Sequence, residues 1–348
     1  MTRRLLAPAA LGAVSVLALA GCAGGTTAGD ADATSTPAAD ALTVVASTNV
    51  YGQIVSEIGG DHVDVTSIVS SSAQDPHSYE PSAQDQLTIS EADLIIENGG
   101  GYDAFIDALI ESSGSSAPVI TAAEFSHDFP GAESHDEAHA DETASPAPTE
   151  SEEDHAHEGE DHAHEEGDGH DHIEGFNEHV WYDPHTMGDL AEGIAAELSE
   201  LAPEHAADFE ANATAFVGEI GGLEDSLAEI EAADARAGVF VTEPVPVYLI
   251  EAAGLENVTP SEFSESVEEG QDVPPATLLE AMQLIDSGDV RVVIVNPQTG
   301  GAETTQVVGE ADGKGVPVIE FAETLPEGQT YISWMQENIA ALAGALGE

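Results

Sequence analysis

The sequence predicts an α/β protein of two lobes, each built on a largely parallel sheet, with a long linking helix between them. Three observations predict it. Short apolar, β-branched runs alternate with amphipathic helical patterns before residue 125 and again after residue 238. A helical stretch without strand signals runs from about 186 to 235, and residues 126–175 break all periodicity. Strands alternating with helices require βαβ units, whose strands pair in parallel.

Taken in order, "LTVVAST" (42–48) reads as a buried strand and "NVYGQIVSEIGG" (49–60) as the helix after it. "VDVTSIV" (63–69) is a second strand, with "DPHSYEP" (75–81) in the loop beyond. "SAQDQLTISEA" (82–92) is helical, "DLIIENG" (93–99) a strand, "YDAFIDALIES" (102–112) a helix and "APVITAA" (117–123) a strand. After "NEHVWYDP" (177–184) comes the long helical stretch, punctuated near Pro203. Alternation resumes with "GVFVTE" (238–243), "PVYLIEAAG" (246–254), "ATLLEAMQLIDSG" (276–288), "VRVVIVNP" (290–297), "TTQVVGEADGKG" (304–315) and "VPVIEF" (316–321). The amphipathic run "YISWMQENIAALAGAL" (331–346) reads as a last helix. This divides the chain into an N-terminal lobe at 42–185 carrying the aperiodic loop 126–175, a linking helix at 186–236 and a C-terminal lobe at 237–348. The lobes share a layout without a clear sequence repeat.

With 41% apolar residues, the 348-residue chain has material for real cores. Its 5 basic residues face 68 acidic ones, a formal charge of −63. Nucleic acid and anionic membrane surfaces demand a basic face, so they are excluded as partners, whereas cations are favoured.

Arg3 and Arg4 precede an apolar run from Leu5 to Ala20, the pattern of an export signal and too short for a confident membrane span. The run ends in Leu19-Ala20-Gly21-Cys22, which resembles the bacterial lipobox; that resemblance implies a signal peptide at 1–21 and a lipid on Cys22. Cys22 is the only cysteine, so no disulfide forms within the chain. "AGGTTAGDADATSTPAADA" (23–41) follows as a flexible tether. The expectation is an extracytoplasmic, monomeric protein whose only tie to the membrane is its lipid anchor.

Residues 127–172 hold nine of the fourteen histidines and no Lys or Arg. With almost no apolar surface to bury, this run is expected to be disordered. Neutral imidazoles at such density suit zinc, copper or nickel. A run without fixed geometry binds several ions weakly, because ordering the ligands costs entropy. His155, His157, His162, His164, His170 and His172 are therefore expected to collect metal, with a more selective site elsewhere. His77 and His179 are the candidates for that site. His77 follows a strand in a loop stiffened by Pro76 and Pro81, and His179 stands where the aperiodic loop rejoins the fold.

"DPHSYEPS" and "NEHVWYDP" resemble the metal-binding loops of the solute-binding proteins that serve zinc and manganese ABC importers. The order of segments is similar too: lipobox, first His motif, His-rich acidic insert, second His motif, connecting helix, second lobe. The resemblance implies a metal ion held in the cleft between lobes and a membrane permease as partner. It implies His77 and His179 as two ligands and Glu243, in "VTEPVPVYLIEAAGL" (241–255), as a third, with Tyr248 keeping the family spacing. The usual zinc-branch histidine is replaced by Glu243, which looks more like the manganese branch. For the fourth ligand "VPVIEFAETLPEG" (316–328) offers Glu323, favoured by the family pattern, or Glu320 three positions before it. Two imidazoles and two carboxylates neutralise a divalent cation and can close a tetrahedral shell; bidentate carboxylates would suit manganese instead. His-rich inserts at this point belong to the zinc branch, so the resemblance implies Zn²⁺ first, with Mn²⁺ as the alternative. A metal-storage or adhesin lipoprotein is the alternative of another class.

No His-Glu-x-x-His, no Gly-x-Ser-x-Gly and no nucleophilic Cys in the fold argue for a hydrolase, so an enzyme is not expected. His62 and His205 read as surface residues, His185 as a structural cap and Trp181 as packing beneath the site. Asp183 is a candidate to orient a ligand histidine. "NPQTGGAETTQ" (296–306) reads as a turn and helix start near the cleft.

Overall fold

In the computed structural model, residues 41–131, 173 and 175–347 are described. Strands β1 (Leu42–Thr48), β2 (Val63–Val69), β3 (Leu94–Glu97) and β4 (Val119–Thr121) form one sheet in the order β2-β1-β3-β4. Strands β5 (Gly238–Val241), β6 (Glu256–Asn257), β7 (Val290–Val295) and β8 (Val318–Glu320) form another in the order β6-β5-β7-β8. All pairings are parallel, with Val44 opposite Val65 on one side and Leu94 on the other. The two halves repeat one strand order, as the similar layouts predict. The central strands β1, β3 and β5 are apolar and almost wholly buried, as sheets covered by helices on both faces require.

The helices are α1 (Asn49–Gly59), α2 (Ala83–Ser90), α3 (Phe105–Ser113), α4 (Pro184–Leu201), α5 (Ala206–Asp234), α6 (Val247–Ala252), α7 (Ser261–Glu268), α8 (Pro275–Ser287), α9 (Ala302–Lys314) and α10 (Tyr331–Leu346). The sequence signals match most of them; β6 and α7 carry too weak a pattern to be read. Local chemistry fixes several starts. Ser82 and Asp85 close a capping box on α2, Thr330 and Ser333 do so on α10, and Asp183 caps α4 with Pro184 in its first turn.

The stretch expected to be one linking helix is two. Pro203 has no N–H to continue α4, so the chain turns through a short 3-10 segment (Pro203–His205) and α5 folds back against α4. Only α5 then leads to the second sheet. Its buried residues Phe209, Ala213, Phe216, Ile220, Leu223, Leu227 and Ile230 alternate steps of four and three, which lays one apolar stripe along the helix. That stripe belongs to a single buried cluster that also takes in α1, α4, α10 and core residues of both sheets. Two smaller clusters cover the other sheet faces. No helix among the described residues is long and apolar enough to cross a membrane.

Candidate metal centre

His77 lies in the turn that follows β2. Asp75 builds this turn: its Oδ1 accepts from the His77 amide (2.9 Å) and its Oδ2 from the Ser78 hydroxyl (2.7 Å). The His77 ring stands edge-on to Tyr102 at 4.7 Å and lies 5.7 Å from the His179 ring. Tyr102 reaches this position through Gly99, Gly100 and Gly101, all at positive φ (74°, 68° and 102°). A Cβ on Gly100 would meet the Phe176 ring at 2.9 Å, so glycine is needed there for conformation and for space.

His179 is fully buried, on the edge of the Trp181 indole at 5.1 Å. Its Nδ1 lies 2.8 Å from Asn177 Oδ1. An amide oxygen only accepts, so Nδ1 carries the proton and Nε2 is the nitrogen with the lone pair. Asn177 in turn donates to the Pro244 carbonyl at 3.1 Å, which fixes its own orientation. Asn177 therefore orients the histidine. Both oxygens of Asp183 serve the start of α4, accepting from the His185 amide (3.0 Å) and the Thr186 hydroxyl (2.6 Å). His185 is exposed and turned toward Glu224, away from this centre.

From the other sheet come the carboxylates. Strand β8 ends at Glu320, which is exposed, and the chain then turns so that Glu323 is 2% exposed and faces His77, Oε2 to Nε2 3.9 Å. Because the strand ends first, its alternation does not govern Glu323. Tyr102 donates to Glu323 Oε2 at 3.2 Å, and Asn296 Nδ2 donates to Glu323 Oε1 at 2.6 Å and to Glu243 Oε2 at 2.7 Å. Glu243 sits in the turn after β5, and its second oxygen accepts from the Thr299 hydroxyl. Gln298 accepts from the Glu323 amide at 2.7 Å and donates to the Gln74 carbonyl at 3.3 Å.

The structure thus brings His77, His179 and Glu323 together, with ligand atoms within 4.8 Å of one another. Glu243 is not part of that close set; Asn296 tethers it beside Glu323. Two residues join that sequence reasoning missed. Glu268, at the end of α7, places Oε1 3.5 Å from His179 Nε2, and His77, Glu178 and Glu268 form an overlapping close set. Glu178 stands beside His179 in its motif, and Glu268 carries no local signal in so acidic a chain. Asn296, Gln298 and Thr299 follow the strand β7, where parallel sheets place binding loops, and that topology is the signal for them. Cys22 and the collector histidines His155, His157, His162, His164, His170 and His172 lie outside the described residues.

Burial dominates the electrostatics. It pushes Glu323 up to about 8, helped by the charges of Glu243 and Asp75 and opposed by the Asn296 and Tyr102 hydrogen bonds. It pushes Glu268 up to about 9, with Glu178, Glu243 and Glu323 adding to the effect. Glu243 is raised for the same first reason, although Thr299 and Asn296 pull it back. Burial among other carboxylates thus favours the protonated form of Glu268, whose Oε1 faces His179 Nε2 at 3.5 Å. A cavity of about 530 Å³, bordered by Phe176, Glu178, Pro244, Ser264, Glu265 and Glu268, opens beside this cluster. The donor set of imidazole nitrogens and carboxylate oxygens fits a divalent transition metal.

Known proteins resemble this chain in sequence and in fold. The family described as zinc-uptake complex component A, periplasmic (ZnuA), matches residues 44–345. The zinc-binding lipoprotein AdcA of Streptococcus pneumoniae is 26% identical over 296 residues, which are 83% of this chain and 53% of AdcA. This chain therefore spans about half the length of that relative. The manganese-binding lipoprotein MntA of Halalkalibacterium halodurans is 24% identical over 343 residues, 96% of each chain. The crystal structure of ZnuA superposes with a TM-score of 0.64 at 20% identity, over 88% of this chain and 100% of that one. A mutant of the laminin-binding adhesin Lmb from Streptococcus agalactiae superposes with a TM-score of 0.64 at 22% identity, over 88% and 99%. At these identities the structural likeness bears on the fold alone.

Proposed function

The chain belongs to the zinc-uptake complex component A family, and on that premise we propose that it captures a divalent metal outside the cytoplasm and delivers it to an ABC importer. The metal is its cargo, held by His77, His179, Glu243 and Glu323, with Zn²⁺ the first choice. One observation carries this reading: two imidazoles from the β2-side half and a carboxylate from the β8 end converge in a buried cluster. Such a set is costly to bury without an ion, because each carboxyl must give up its charge. Glu243 completes the shell by leaving Asn296 and Thr299 for the metal. Release at the permease then means restoring those hydrogen bonds and reprotonating the carboxyls. Cys22 carries the lipid, the histidine run collects ions for the cleft, the folded part works as a monomer, and no catalysis is involved.

Mn²⁺ is the second reading, and the number of carboxylates favours it. Glu178, Glu243, Glu268 and Glu323 supply the oxygen-rich surroundings that manganese prefers. Metal titration of the protein, with and without residues 127–172, tests the proposal. One tight Zn²⁺ is expected to survive the deletion and to vanish in His77→Ala. Loss of tight binding with the deletion would make the histidine run the site, and tighter Mn²⁺ than Zn²⁺ binding would reverse the choice of metal.

A further inference from the structure

The described residues hold a second group of potential metal ligands, His62, His205 and Asp208, whose ligand atoms lie within 4.8 Å of one another. We propose that these three residues form a second, surface site for a borderline divalent transition metal of the zinc, copper and nickel class, completed by water.

The site is separate from the cleft. His62 ends the 3-10 turn Gly60–His62 that enters β2, whereas His77 follows the other end of that strand. Seven residues of β2 at about 3.3 Å each make a strand roughly 20 Å long, and the loop that carries His77 leaves its far end. His205 ends the 3-10 turn between α4 and α5, and Asp208 lies in the first turn of α5. The cluster therefore joins the α1–β2 corner to the α4–α5 turn, at the end of the sheet opposite the binding loops.

Its geometry is more than chance crowding of acids. The His62 and His205 rings stack at 3.7 Å, only 16° from parallel. His62 Nε2 lies 3.2 Å from Asp208 Oδ2. Phe209, fully buried, meets both rings edge-on at 5.7 and 6.3 Å and floors the cluster with carbon. The backbone beneath is pinned, since Asn212 donates to the Ile58 carbonyl at 2.9 Å and the His205 amide donates to the Ala202 carbonyl at 3.0 Å. Two imidazoles and one carboxylate suit borderline metals better than calcium or magnesium. With three protein ligands, half-exposed, the ion keeps bound water and exchanges readily. The site is thus expected to bind more weakly than the cleft. In the alternative, the same contacts are only an aromatic stack with a histidine–carboxylate hydrogen bond.

Reactivity of individual histidines toward diethyl pyrocarbonate, read by mass spectrometry on the full chain in zinc-buffered solution, separates the two. The buffer sets free Zn²⁺, so the histidine run does not distort the titration. His62 and His205 are expected to become protected with one shared midpoint, at higher free Zn²⁺ than His77. Asp208→Asn should raise that midpoint about tenfold or more, the scale on which even outer partners of metal sites act, and leave His77 unmoved. His205→Gln should abolish protection of His62. The proposal is overturned if both histidines stay reactive in saturating Zn²⁺, if Asp208→Asn leaves their midpoint in place, or if His77→Ala removes their protection. Failure of the cleft reading would show at His77 alone.

Discussion

Asn177 orients His179, because its amide oxygen accepts a hydrogen bond from Nδ1–H and leaves Nε2 toward the carboxylates. Asn177→Ala is expected to lower Zn²⁺ affinity about 10- to 100-fold with the fold intact, measurable by competition with a chelating dye. Glu323 and Glu268 set the pH response. With pKa values of about 8 and about 9, both must lose a proton before they can face a cation as carboxylates. Zn²⁺ affinity should therefore climb through pH 8, beyond the range where the imidazoles alone would level it, and calorimetry in two buffers should register proton release. The metal-free protein should behave in the opposite sense. A carboxyl raised from 4.5 on folding contributes stability that is fully present below 4.5 and lost as pH rises through its folded value. Thermal melts without metal should thus fall between pH 5 and 9, and melts with Zn²⁺ should not; parallel profiles would contradict the assignment.

At the scale of elements, α4 illustrates how one residue serves structure when chemistry was expected of it. Asp183 caps the helix with both oxygens, and the turn before it carries His179 and Trp181. Asp183→Ala should cost about 1 kcal/mol or somewhat more in urea unfolding, by loss of the cap and the Thr186 hydrogen bond. Metal affinity should change little, since Asn177 remains. A large loss of affinity at unchanged stability would return Asp183 to the site.

For the whole molecule, the apolar stripe of α5 is the element that ties one sheet to the other. Phe216 is 1% exposed within it and lies 5.9 Å from the Tyr331 ring of α10. Hydrogen bonds beside this contact run between the halves, from Tyr331 to the Trp181 carbonyl (2.8 Å) and from Tyr182 to the Ala322 carbonyl (2.7 Å). A continuous core of this kind resists hinge opening, so the proposed metal capture would rest on side chains and loops near the cleft. Phe216→Ala is expected to destabilise by about 3–5 kcal/mol in a single cooperative transition. Separate melting of the two halves would contradict a shared core.

The sequence by itself determined the class of the fold, since the alternation of β-branched runs with amphipathic helices leaves parallel βαβ units as the outcome. It also marked His77, in a loop stiffened by Pro76 and Pro81, and His179, where the aperiodic loop rejoins the fold, with the resemblance of their two motifs to metal-binding loops adding the weight that neither residue carries alone. The burial of Glu323 and the exposure of Glu320 follow from where β8 stops, which depends on its pairing with β7. Glu268 enters the site from a helix end with no local mark among so many acidic neighbours, whereas Asn296 and Thr299 lie in the turn after β7 that the sequence places near the cleft. His62 and His205, read as bland surface positions, meet only because α5 folds back at Pro203. Short-range motifs are written in the chain, whereas convergence and desolvation, which raise the carboxyl pKa values, exist only once distant segments share a buried volume.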